Sequence, residues 1–249
     1  MRNKMLNQIR EVKILMKNIP ALSFSLFVVS VIVMNLLANK SISIGDGAYL
    51  CLDCGILASW LSFLSMDIIT KRFGPKASIE VSIIALLINL LVSIIFIGAG
   101  FIPGNWGESY NDNQFIINTA LDNTIKGSWY VLMGSSVAFL VSSILNNILN
   151  YLIGKMFKKN PNGFFAYSMR TYVSTFIGQF VDNLTFSLIV SHFFFGWNIL
   201  QCVICSLTGC LIETLFEIIF SPIGFKIVNR WTKDKVGQEY LDFIKGETK

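Results

Sequence analysis

Six apolar runs long enough to cross a lipid bilayer decide what this chain can be. They cover 21–38, 48–69, 81–101, 129–153, 172–195 and 199–220, and each approaches or exceeds the roughly 20 residues that a helix needs to span the hydrocarbon core. Only 14% of the residues are charged, against about 25% in soluble domains, so a water-facing shell cannot be built around these runs. Nothing between them is long enough to form a second domain. The sequence therefore predicts an all-α membrane protein of one domain, 1–249, with six transmembrane helices.

The basic residues orient it. With both termini cytoplasmic, all 20 Lys and Arg except Lys40 and Lys126 fall on the inner side. They occupy the tail 1–19, the turn carrying Lys71, Arg72 and Lys76, the turn carrying Lys155, Lys158, Lys159 and Arg170, and the tail 223–249. The expectation is N-in and C-in. The net charge of +5 then reports topology, and nucleic acid is not an expected partner. A polar stretch precedes the first apolar run and no small-residue cleavage site follows it, so no cleaved signal peptide is expected. Ile9, Val12, Leu15 and Met16 share one side of the basic tail, which suits a helix lying on the inner leaflet.

The informative residues are the polar ones inside the runs, because an intramembrane charge is costly unless it faces a partner or a water-filled cavity. In 170–195, at about 100° per residue, Thr171, Thr175, Gln179, Asp182, Asn183 and Phe186 fall on one wall. That wall reads as one side of a polar substrate cavity, and interhelical hydrogen bonding is the plainer alternative. Run 199–220 places Glu213 and Glu217 one turn apart on the face of Cys202, Ser206 and Cys210. Like charges at that spacing repel, so the pair is expected to hold a proton or a cation. Run 48–69 carries Asp53 near its outer end, Asp67 near its inner end and Trp60 between them. Asp67 lies four residues before Lys71, which makes a local ion pair its simplest role.

Other positions read as packing. The Ser and Asn residues of 129–153, among them Ser142, Ser143, Asn146, Asn147 and Asn150, form a seam of the kind that lets helices approach. Arg170 lies more than about 100° from the Asp182 face and is expected to anchor at the interface, and Ser221 with Pro222 is expected to end the last span. A short helix around 115–122, in the longest outer loop, is expected over the cavity mouth. No Gly-rich phosphate loop is present, so the chain has no ATPase of its own. His192 has no Ser or Cys nucleophile pattern around it, so no enzyme activity is expected. The Cys51/Cys54 and Cys202/Cys205 pairs have zinc-like spacing, yet inside helices they read as small apolar residues. No metal or cofactor is expected.

Taken together, NLLANK (35–40), DIITKRFGPKAS (67–78), RTYVSTFIGQFVDNLTF (170–186) and ETLFEIIFSP (213–222) resemble the vitamin uptake transporter (VUT) family, which includes bacterial queuosine precursor transporters. The resemblance implies six helices in the bacterial inner or plasma membrane and import of a purine-like 7-deazaguanine: the nitrile preQ0, the aminomethyl preQ1, or queuine. The positions it carries over are Asn35, Lys40, Asp67, Gly74, Arg170, Ser174, Gln179, Asp182, Phe186, Glu217 and Pro222. Two departures stand out. This chain has Lys71 where many relatives have Glu, and Glu213 where they have Lys one turn before the last-span Glu. The expected substrate-binding residues are Asp182, Gln179, Asn183, Phe186, Glu213, Glu217, Asp67, Asn35 and Trp60. Asp182 and Gln179 would read the polar edge of the base, with Phe186 or Trp60 stacked on its ring. The alternatives are a transporter of another vitamin-like solute, or a binding component that works with separate ATPase and coupling subunits. A homo-oligomer is a further open partner beside the lipid bilayer.

Overall fold

The computed structural model describes residues 2–43, 51–107, 115–127, 129–157 and 163–246. Lys158 and Lys159 of the expected inner turn and residues 48–50 of the second run lie outside them. The helices are α1 (Arg2–Asn18), α2 (Ala21–Leu37), α3 (Ile56–Phe73), α4 (Pro75–Ala99), α5 (Phe115–Gly127), α6 (Trp129–Met156), α7 (Phe164–Phe186), α8 (Phe193–Phe195), α9 (Ile199–Lys233) and α10 (Gln238–Lys245). Between α7 and α8 the backbone widens into a π-helical segment, Ser187–His192. Two short strands, β1 (Ser41–Ser43) and β2 (Cys51–Asp53), pair antiparallel.

This is an all-α membrane protein with one small β-ribbon. Among the described residues four helices are long and apolar enough to cross a membrane, or five if α1 and α2, bent by 105°, count as one span. The shortfall from six has a chemical reason, since α2 has 17 residues and α3 carries Asp67, Lys71 and Arg72 within 18. Around the bundle, α2 packs on α3, α3 on α9, α9 on α7, α7 on α6, and α6 on α4, which returns to α2 and α3. Each polar run thereby turns its hydrophilic stripe inward while Leu87, Leu91, Ile94, Leu211 and Leu215 stay exposed on the outside, the side that hydrocarbon covers.

Three expectations need correction. The second run does not begin as a helix, because Cys54 N–H donates to the Lys40 carbonyl at 2.7 Å and Gly55 N–H to Asp53 Oδ1 at 2.7 Å. Those bonds hold 51–53 as a strand and delay the helix to Ile56. No described residue of the helix α5 lines either of the two cavities described below. The helix packs on α4, held by Trp106 Nε1–H to Asp122 Oδ1 at 2.9 Å and Trp106 N–H to Asn118 Oδ1 at 2.8 Å. Nor do Ser221 and Pro222 end the helix of the last apolar run. Pro222 cannot donate to the Ile218 carbonyl, but Ser221 Oγ–H donates to that oxygen at 3.1 Å and is itself 2.7 Å from the Tyr172 hydroxyl. With that carbonyl satisfied, α9 continues for 35 residues, roughly 50 Å, which exceeds the hydrocarbon thickness of about 30 Å.

The protruding end of α9 builds a second layer with both terminal segments. Trp231 and Tyr240 pack against Phe73 at ring distances of 6.1 Å each. Gly74, at φ +93°, reverses the chain between α3 and α4 in a conformation that favours glycine. Lys76 then pairs with Glu11 at 2.6 Å, and Arg72 Nε–H donates to the Val236 carbonyl at 2.8 Å. Leu15 and Ile19 of the basic N-terminal segment are buried here, whereas Leu6 and Ile9 stay exposed. Replacing Ser221 by Ala should lower stability by about 1 kcal/mol, since it strips a hydrogen bond from a carbonyl inside the bundle. Adding Pro222→Ala restores an N–H for Ile218 and should recover part of the melting temperature; thermal unfolding in detergent of both variants reads the difference.

Candidate functional site

Two adjoining cavities open where the end of α2, the β-ribbon, the start of α3, the end of α7, the π-helical segment and the start of α9 converge. The space between their walls, open mouth included, is about 480 Å³ for the larger and about 320 Å³ for the smaller, and both are lined by Ala38, Asp53, Ile56, Asn183, Phe186 and Glu213. Asp182, Ser59 and Ser135 border the smaller one. Ser187, Ser191, Trp197, Cys205 and Ser206 border the larger. Ser187 and Ser191, four residues apart within the π turn, share this wall, and such turns are frequent at functional sites.

The wall is acidic. Glu213 is held from two sides, since Asn183 Nδ2–H donates to Oε2 at 2.9 Å and the Ser59 hydroxyl donates to Oε1. Asp182 accepts the Ser142 hydroxyl at 2.7 Å, and Asp53 accepts the Gly55 N–H described above. Each of these donors is neutral, so none of them brings a countercharge to the carboxyl it positions. Among the described residues that line the two cavities there is no Lys, Arg or His.

About two helical turns back toward the start of α7 lies a second, deeper polar layer. Asp67 Oδ1 accepts Asn146 Nδ2–H at 3.1 Å and Asn150 Nδ2–H at 3.0 Å, and its Oδ2 accepts the Thr175 hydroxyl at 3.3 Å. Asn150 Oδ1 takes two bonds from Arg170, from Nε at 3.0 Å and Nη2 at 2.8 Å. Arg170 is therefore no surface anchor. Gly154 makes room for it, because a Cβ there would lie 2.9 Å from the guanidinium carbon. Asn150 passes the cation's influence on to Asp67, and the Ser and Asn seam of α6 serves these acidic partners as well as packing.

Four of the nine candidate residues meet at the cavities: Asp182, Asn183, Phe186 and Glu213. The other five line neither. Trp60 is stacked on Phe220 at 4.2 Å and beside Phe216 at 5.9 Å, on the α3 and α9 surface. Asn35 is fully buried between α2 and α6, where it accepts the Ser135 hydroxyl. Asp67 belongs to the deeper layer. Gln179 and Glu217 are fully buried, and neither the Gln179 amide nor the Glu217 carboxyl has a hydrogen-bond partner.

Asp53, Ser59 and Ser142 were not singled out from sequence as site residues. A carboxylate that ends a strand looked like the edge of a span, and a serine in an apolar run carries no signal of what it faces. The two cysteine pairs do meet, with Cys51 N–H donating to Cys205 Sγ at 3.3 Å, and none of the five cysteines is in a disulfide.

If Arg170 balances Asp67, Arg170→Met should destabilise the protein by about 3–5 kcal/mol, the usual effect of leaving a buried charge alone. The double variant with Asp67→Asn should regain most of that loss. Melting temperatures of the two single variants and the double form a cycle that tests the coupling.

The family profile described as "Putative vitamin uptake transporter" matches residues 53–229. No curated protein and no solved structure matches the chain. The matched region opens at Asp53 on the cavity wall and contains Asp67, Asp182, Glu213 and Glu217. On that match and on its apolar helices, the chain belongs to the vitamin uptake transporter family and is a multi-pass membrane protein.

Proposed function

We propose that the protein imports a flat, donor-rich and positively charged base, a queuosine precursor of the 7-deazaguanine type, with the aminomethyl form preferred. The observation that carries this reading is the wall itself: Asp53, Asp182 and Glu213 border the cavities and no described basic residue joins them. An anionic vitamin would meet uncompensated like charge there. A 7-deazaguanine instead offers adjacent N–H groups that one carboxylate accepts as a pair, and an aminomethyl group is protonated at neutral pH, as other alkyl amines are. Phe186, which lines both cavities, stacks on the base. Gln179, one turn below Asp182 with neither amide atom bonded, offers a donor and an acceptor to a base that descends from the cavity. The departure from many relatives at Glu213 falls on this wall, so it bears on which solute is selected.

In this reading six helices cross the plasma membrane of a bacterial cell, with N-in and C-in. The packing of α1 on α10, where Asn18 Nδ2–H reaches Glu239 at 3.2 Å, supports an even number of crossings because it gathers both terminal segments at one end. The cavities lie at the opposite, external end. A tag after Lys249 and one near Lys158 should be protected in intact cells, and one near Asn111 should be cleaved by added protease; protection of the Asn111 tag would sink the six-span topology.

For recognition, Asp182→Asn should weaken binding about thirtyfold, or roughly 2 kcal/mol, with little change in melting temperature. Glu213→Gln should weaken the aminomethyl base more than the nitrile. Affinity and melting temperature measured on the same purified variants decide it, and wild-type affinity in both variants would end the proposal. In cells, tRNA queuosine should appear only when the gene and a precursor are both supplied to a host that lacks its own synthesis and uptake.

A further inference from the structure

Beneath the acidic cavity, Glu217 of α9 has 0% of its surface exposed, and neither carboxyl oxygen has a hydrogen-bond donor. It lies one turn inward of Glu213, about 6 Å along the axis. The contrast with Asp67 is chemical. Asp67 collects three donors and lies within electrostatic reach of Arg170, so it has what an ionised carboxylate needs. Glu217 has none of these. An ionised carboxylate without donors in a bundle interior costs several kcal/mol, whereas the protonated acid is neutral and suits the site.

The charged and titratable groups around Glu217 leave that conclusion in place. From α3 it feels Asp67, and Lys71 of the same helix has its Nζ 5.6 Å from the centre of the Tyr167 ring. From α7 come Tyr167, within electrostatic range of both Glu217 and Asp67, and Arg170, which is already engaged with Asn150. On its own helix the nearest acid is Glu213, held by Ser59 and Asn183. None of these groups donates a hydrogen bond to Glu217.

We infer that Glu217 is the proton-binding site that couples substrate import to the proton gradient. A proton enters from the external cavity past Glu213, forms an O–H bond on the Glu217 carboxyl, and leaves to the interior as H⁺ when the deeper layer opens; no electron is transferred. While the proton is bound, the layer holding Asp67, Arg170 and Glu217 is neutral and can be sealed from water, and release leaves a charge that must be rehydrated or reprotonated. The site is distinct from the substrate wall, since Glu217 lines neither cavity.

The test has two arms, and only the second rests on the importer reading. In the first, infrared spectra of purified protein without substrate should show a protonated carboxylic acid at neutral pH whose intensity drops by one group in Glu217→Gln. Glu217→Asp should keep an acid band at a shifted frequency. Identical wild-type and Glu217→Gln spectra over the whole pH range would overturn the inference, whatever the substrate is. Gln imitates the protonated acid in shape and neutrality, so the variant should fold, and the melting temperature checks it.

In the second arm, proteoliposomes with an imposed gradient of about one pH unit should accumulate the aminomethyl 7-deazaguanine up to about tenfold if one proton accompanies each base. Glu217→Gln should bring the ratio to about one while retaining binding and gradient-free exchange. Accumulation by Glu217→Gln equal to wild type, or wild-type accumulation that follows a sodium gradient and ignores pH, overturns the coupling. Failure of the wild type to bind any 7-deazaguanine overturns the importer reading instead, and leaves the infrared arm to decide Glu217.

Discussion

The clamp on Asp67 is the interaction on which the rest of the bundle depends. A carboxylate on a helix inside hydrocarbon is tolerated only if neighbouring helices satisfy it, and here α6 and α7 both contribute. Asn146, Asn150 and Thr175 converge on its oxygens, and Arg170 stands behind Asn150. Those contacts tie α3 to α6 and α7 in one register, and that register sets where Ser59 meets Glu213 and where Asn183 faces it from α7. The cavity wall is thus positioned from below by a polar core, in a medium where apolar side chains cannot drive helices together because lipid is as apolar as they are.

The sequence made the long helices and half of the site legible for one physical reason. A polar residue in an apolar run has to face inward, so Asp182, Asn183, Phe186 and Glu213 could be placed by spacing alone. Trp60 could not, because its place was taken by Phe216 and Phe220 from another helix, and a helical wheel does not contain the neighbour. Arg170 was misjudged for the same reason. Its angle from the Asp182 face was read correctly, but the angle turns it toward Gly154 and Asn150 of α6 and not toward lipid. The strand at 51–53 was hidden because Cys, Leu and Asp in a row carry no period long enough to separate strand from helix. Pro222 shows the converse error, in which a strong breaker signal is overruled by one serine hydroxyl.

The two layers divide the chemistry by what each carboxylate is offered. In the upper layer Asp53, Asp182 and Glu213 take neutral donors and border open space. In the lower layer Asp67 is saturated and Glu217 is left bare. Five acids within one bundle thus differ in role because their neighbours differ, while their residue types and depth alone would make them nearly equivalent.

The partners of Asp67 also impose an order on how the protein is made. Asn146, Asn150 and Thr175 follow it by 79, 83 and 108 residues, so α3 leaves the ribosome long before anything that can solvate its carboxylate. It is also the helix whose charges keep it short of a spanning hydropathy. Lateral entry of α3 into lipid on its own is therefore unfavourable, which favours its entering together with α6 and α7 as a group. Integration assays on successively longer nascent chains would read that joint entry directly, as α3 remaining extractable until the codons for Thr175 have been translated.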